Sequence, residues 1–116
     1  ATSSDGGQTW SAARPGEKVT PVCCAIERYP ASAGGSGRDL IVWTGPKGPG
    51  RANLVVRVSS DEGLTFPRER LIAAGQAAYS DLAILKDGTV GVLWERGVDR
   101  GYEFISFTRF DRQWQD

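Results

Sequence analysis

The sequence predicts an all-β protein, and three observations predict it. Nearly every apolar run is short and bounded by Gly, Pro, Asp or Asn, with 15 Gly and 6 Pro among 116 residues. That punctuation marks turns between strands. No long segment repeats with the period of a helix. An octet also recurs: Ser3-Ser4-Asp5-Gly6-Gly7-Gln8-Thr9-Trp10 returns as Ser59-Ser60-Asp61-Glu62-Gly63-Leu64-Thr65-Phe66. Both read S-x-D-x-G-x-T followed by an aromatic, so a supersecondary unit is being repeated.

In chain order the expected strands are Val19–Ile26, Asp39–Thr44, Leu54–Ser59, Phe66–Ala73, Ala78–Leu85, Val90–Glu95 and Tyr102–Phe110. Leu54-Val55-Val56-Arg57-Val58 and Phe104-Ile105-Ser106-Phe107-Thr108 carry the β-branched and aromatic residues that strands favour. Lys86-Asp87-Gly88-Thr89 joins two apolar runs through Asp-Gly, a strong hairpin signal. The small-residue stretch Ala31–Gly37 and the Gly/Pro stretch Gly45–Gly50 are expected surface loops. Within each octet, the Asp is expected to accept backbone N–H groups one or two residues on. The Gly two positions later supplies a positive φ. The Thr-aromatic pair is expected to begin the next strand and anchor the hairpin.

Composition narrows the function. Fourteen Lys and Arg balance fourteen Asp and Glu, the pI is about 6.5 and hydrophobic residues make up 40%. A neutral chain offers no field for nucleic acid or an anionic membrane, and no apolar run is long enough to span a bilayer as a helix. The absence of His removes imidazole acid–base catalysis and imidazole metal ligands. Cys23 and Cys24 are adjacent, so on a strand they point to opposite faces and are poorly placed to bridge each other. They are expected to be two small apolar residues rather than metal ligands. No Met opens the chain, and a trimmed or partial chain is expected.

The two octets resemble the Asp-boxes, or bacterial neuraminidase repeats, of β-propellers. In that family each box lies between the third and fourth strands of a blade, away from the catalytic face. The segment Ala78-Tyr79-Ser80-Asp81-Leu82 through Asp87-Gly88-Thr89 to Gly91-Val92-Leu93-Trp94-Glu95 is similar to a signature near the C-terminus of exo-α-sialidases. The tail from Tyr102 to Phe107 resembles their closing strand. The resemblance implies the C-terminal portion of a six-bladed β-propeller, about two and a half blades of four-stranded antiparallel sheet. Residues 1–18 would end one blade, 19–75 form the second and 76–116 belong to the last.

The same resemblance implies site residues. Tyr79 would be the nucleophile, because the carboxylate on the anomeric carbon of sialic acid repels an Asp or Glu nucleophile and a neutral phenol does not. Sialidases are the tyrosine exception among glycosidases. A phenol, with an ordinary pKa of about 10, needs a neighbouring carboxylate base. Arg51 would be one of three arginines that clamp the substrate carboxylate, with Arg57 as its rival, since a guanidinium fork matches a carboxylate bidentately. Glu95 would hold an arginine of that triad by an ion pair. Asp81 shares a face with Tyr79 on a regular strand and receives no catalytic role.

The family's general acid Asp, the Glu that activates the tyrosine and two arginines all precede the first octet. A 116-residue chain is therefore expected to be inactive alone. The implied partners are a sialic-acid-terminated glycan and either the missing N-terminal propeller half or further copies joined through open strand edges. No nucleic acid, membrane, metal or organic cofactor is implied. A secreted or periplasmic location would follow if the parent resembles bacterial sialidases. The alternative is a non-catalytic Asp-box propeller serving as a glycan-binding or scaffold module.

Overall fold

A computed structural model describes residues 1–34, 37–111 and 113. Six strands and one helical turn follow in order: β1 (Ala25–Tyr29), α1 (Ala31–Gly34), β2 (Leu40–Pro46), β3 (Ala52–Ser59), β4 (Arg68–Ile84), β5 (Val90–Gly97) and β6 (Phe104–Phe110). They form one antiparallel sheet in sequence order. The sheet curls into a half-barrel, with β1 and β2 returning to touch β4. The all-β expectation holds.

Several element boundaries differ from expectation. β3, β5 and β6 are shifted by two residues at one end. β2 runs through Gly45 and Pro46, which are buried strand residues instead of the start of a surface loop. Three differences are larger. The first strand begins at Ala25 instead of Val19. Pro21 has no N–H to give a ladder, and Val22 N–H instead closes a turn onto the Thr20 carbonyl at 2.8 Å. Ala31–Gly34 is a short helical turn where a loop was expected, and residues 35 and 36 of that stretch lie outside the described residues. The expected strands Phe66–Ala73 and Ala78–Leu85 are one continuous strand, β4. Its first part pairs with β3 and its second with β5, and Gln76 pairs with both Ala52 and Gly97. Gly75, at φ +89°, turns the strand without ending it. The described residues thus show four strands, β1 to early β4, and then three, late β4 to β6.

The core lies inside the curl. Tyr29, Val42, Leu54, Val56, Val90 and Val92 are fully buried, each contributing about 1.5–3 kcal/mol through removal of apolar surface from water. The Tyr29 hydroxyl donates to the Gly88 carbonyl at 2.7 Å, tying β1 to the Asp-Gly turn between β4 and β5. That turn closes through Leu85 N–H to Thr89 O at 2.8 Å. Buried Thr44 and Ser80 satisfy each other, their hydroxyls 3.2 Å apart, with Ser80 Oγ also donating to the Thr44 carbonyl.

The octets fold alike. Ser3 Oγ and Ser59 Oγ each donate to the Asp carboxylate two residues on and accept the Gly N–H four residues on. Asp5 and Asp61 accept the backbone N–H of Thr9 and Thr65 at 2.9 Å, and the hydroxyls of the same threonines. The reach is four residues, longer than the one or two expected, because the serine fills the near side of the turn. Thr9 and Ser3 hold the Asp5 carboxyl down to about 2, and Ser59 and Thr65 hold Asp61 to about 2. Trp10 is exposed and donates Nε1–H to the Gly7 carbonyl of its own turn at 3.0 Å. The second octet joins β3 to β4.

Candidate functional site

Tyr79 stands where β4 is irregular. Between Ala77, opposite Arg96, and Ser80, opposite Trp94, β4 carries one residue more than β5. Such a bulge re-aims a side chain and leaves a backbone group without a ladder partner. Glu95, the residue facing the bulge, supplies that partner: its Oε2 accepts the Tyr79 N–H at 3.2 Å. The Tyr79 ring is left 44% exposed while Ala77, Ala78 and Ser80 beside it are buried.

Arg51 reaches the same point from the other side. It precedes β3, and its carbonyl accepts the Ala77 N–H at 2.9 Å, which extends the β3–β4 ladder past the end of β3. Its guanidinium lies 5.4 Å from the centre of the Tyr79 ring and 5.8 Å from that of Tyr102, cation–π distances in both cases. Tyr102 arrives on the loop between β5 and β6. Gly101 makes the approach possible, since a Cβ there would sit 3.1 Å from Ala78 Cβ and 3.3 Å from Arg51 Cβ. The loop is braced by Glu103, whose Oε2 accepts the backbone N–H groups of Val98, Asp99 and Arg100. Those bonds hold the Glu103 carboxyl below its usual range.

The structure therefore brings Tyr79, Arg51 and Glu95 together from three elements. Arg57 is engaged elsewhere: it stacks over Trp43 at 4.9 Å and donates Nε–H to Glu69 at 2.9 Å. Asp81 is exposed and accepts the N–H of Leu82 at 2.9 Å. Sequence reasoning missed Tyr102 and Gly101. The Gly-Tyr-Glu run in the tail was visible, but nothing in its spacing ties it to Arg51.

Beside Tyr79 opens a groove of about 400 Å³, walled by Cys23, Leu93, Trp94, Glu95 and Ile105 among others. This falls within the volume range of small-molecule sites. Among the described residues no group of three or more His, Cys, Asp and Glu is placed to hold a metal ion. Tyr79 lines this groove with Asp81 and Glu95, and its ring also carries the Arg51 guanidinium at 5.4 Å. The guanidinium supplies positive charge beside a partly exposed ring.

No family model matches the chain. It is 29% identical over 119 residues to a sialidase of Micromonospora viridifaciens, which covers 98% of this chain and 18% of that protein. Among solved structures, a Hadza microbial sialidase, Hz136, superposes with a TM-score of 0.69 at 27% identity, covering 84% of this chain and 19% of that one. The intramolecular trans-sialidase of Ruminococcus gnavus, solved with oseltamivir carboxylate, superposes at 0.68 with 21% identity, covering 97% of this chain and 27% of its own. The chain spans about a fifth of the curated relative that it matches. Its fold is that of a section of a sialidase β-propeller.

Proposed function

We propose that this chain is the tyrosine-bearing, C-terminal section of a six-bladed Asp-box propeller, and that the whole acts as a retaining exo-α-sialidase. In that reading residues 1–18 end one blade, 19–75 make the next and 76–116 begin the last. The observation that carries it is the convergence of Arg51 and Glu95 on Tyr79, with the guanidinium over the ring and the carboxylate on its backbone N–H.

The chemistry assigned to these residues is as follows. The Arg51 guanidinium binds the substrate carboxylate as part of an arginine cluster, orienting the anomeric carbon toward the phenol. Tyr79 Oη attacks that carbon as its proton passes to a carboxylate base outside this chain. The glycosidic oxygen leaves with a proton from a separate acid, and water later displaces the tyrosine, so configuration is retained. Glu95 fixes the bulge that presents the ring. Base, acid and the remaining arginines are not supplied by these residues, so the isolated chain is proposed to be inactive on sialosides.

A chimera tests the reading. Residues 1–116 replace the matching segment of the Micromonospora sialidase, and release of a fluorogenic aglycone from a sialoside is measured. The folded chimera is expected to turn over, Tyr79→Phe to lose at least about 10²-fold in kcat, and the isolated chain to release nothing. A folded chimera without activity, or one indifferent to Tyr79→Phe, would sink the proposal.

A further inference from the structure

We propose that Tyr102 is a positioning residue for Arg51: with Tyr79 it holds the guanidinium by ring faces and leaves the N–H fork open to a carboxylate ligand. The guanidinium stands 5.4 Å from the centre of the Tyr79 ring and 5.8 Å from that of Tyr102. Arg28, Arg57 and Arg109 each meet a carboxylate. Among the described residues Arg51 meets none, and its side chain donates no hydrogen bond to any of them. Attraction to a π-face uses the charge and consumes no N–H donor, so the fork keeps its donors for a ligand. An exposed arginine with free donors is ordinarily a solvated one. Two rings converging on it from separate elements set this one apart. Asp81 and Glu95 wall the groove beside Tyr79, and Arg51 is not part of that wall; the anion site is the guanidinium itself.

The loop that carries Tyr102 is held in one place. It folds back on its own start, since a Cβ at Gly97 would lie 1.5 Å from the Arg100 carbonyl oxygen. Glu103 Oε2 accepts the N–H groups of Val98, Asp99 and Arg100, and Glu103 N–H donates to the Arg96 carbonyl at 2.9 Å. Buried Gly101 lets the backbone lie against Ala78 and Arg51. Tyr102 itself is 55% exposed, so its ring is not there to fill the core. A free arginine loses rotamer freedom when it grips a ligand. Flanking rings impose that loss beforehand, and the fork meets a carboxylate already oriented. The placement of the guanidinium stands by itself, whereas its effect on turnover rests on the sialidase reading.

Two measurements test the role. In the isolated chain, the heteronuclear NOE of the Arg51 Nε–Hε pair reports how ordered the side chain is. It is expected to be high in wild type and in Tyr102→Phe, and to fall in Tyr102→Leu, which keeps apolar bulk and removes the π-face. In the Micromonospora chimera, Tyr102→Leu is expected to raise KM for the fluorogenic sialoside about 2- to 5-fold, the range of an exposed cation–π contact. Its kcat is expected to stay within about twofold of wild type, and Tyr102→Phe to behave as wild type in both. An Arg51 side chain as ordered in Tyr102→Leu as in wild type, a Phe variant as impaired as Leu, or an active chimera whose KM ignores Tyr102→Leu would overturn the proposal. A wild-type chimera that is folded and inactive removes the sialidase reading instead, and the NOE of the isolated chain then decides the role of Tyr102 alone.

Discussion

The Glu95 carboxylate accepts the backbone N–H of Tyr79 across a bulge that leaves that N–H with no ladder partner. Glu95→Ala removes the acceptor, and water reaches the half-exposed residue only in part. A loss of about 0.5–1.5 kcal/mol in urea unfolding is expected, with faster hydrogen exchange at the Tyr79 amide. Glu95→Gln keeps a carbonyl oxygen there and is expected to recover most of both effects. Equal losses in the two variants would show that the carboxylate charge, rather than the bond to Tyr79, matters.

Gly101 is the point where the β5–β6 loop presses on Arg51 and Ala78. Adding one methyl in Gly101→Ala requires the loop to move by a few tenths of an ångström, at about 1–2 kcal/mol in stability. Because Tyr102 is the next residue, the ring current it exerts on the Arg51 side chain is expected to weaken, which NMR shifts of the Arg51 δ protons report. Unchanged shifts would mean that the loop absorbs the methyl without moving Tyr102.

Acid acts on the octet turns. Asp61 titrates at about 2 in the folded chain, whereas an unfolded aspartate titrates at about 3.9. A depressed folded value means that the contribution is fully present above the unfolded pKa and is lost as pH falls from about 4 through about 2. In Asp61→Ala the chain is expected to be less stable at pH 6 and to show a shallower fall of the urea midpoint between pH 4 and pH 2. Parallel pH profiles for the two chains would count against this role.

Tyr29 is fully buried and its hydroxyl spans β1 and the turn at Gly88. Tyr29→Phe leaves the Gly88 carbonyl without this donor inside the core. About 1–2 kcal/mol of destabilisation is expected, with exchange quickened at the 86–89 turn. A change below about 0.3 kcal/mol in thermal unfolding would show that another donor takes its place.

Much of the fold is legible because local chemistry specifies it. Leu54 to Val58 is dense in the β-branched residues that strands favour, Asp87-Gly88 can hardly be other than a tight turn, and each octet contains its own hydrogen-bond partners. The site is legible only in part. Tyr79, Arg51 and Glu95 stand out by resemblance, yet the bulge that unites Tyr79 with Glu95 is a difference in residue count between two strands, which neither strand states alone. Gly75 reads as a break between strands, whereas its positive φ redirects pairing from β3 to β5 within one strand. Tyr102 and Cys23 become neighbours of Tyr79 only through the curl of the sheet.

One consequence of β4 concerns cooperativity. Its first part closes the four-stranded group and its second opens the next, so the two groups have a common backbone through Gln76, which pairs on both sides. Unravelling one group strips a hydrogen-bonded neighbour from the other. A partly melted state, with one group intact and the other frayed, is therefore disfavoured, and the described sheet behaves as a single folding unit. For the triad at Tyr79, which draws Arg51 from one group and Glu95 from the other, this rigidity means that the two sides of the phenol cannot drift apart while the protein stays folded.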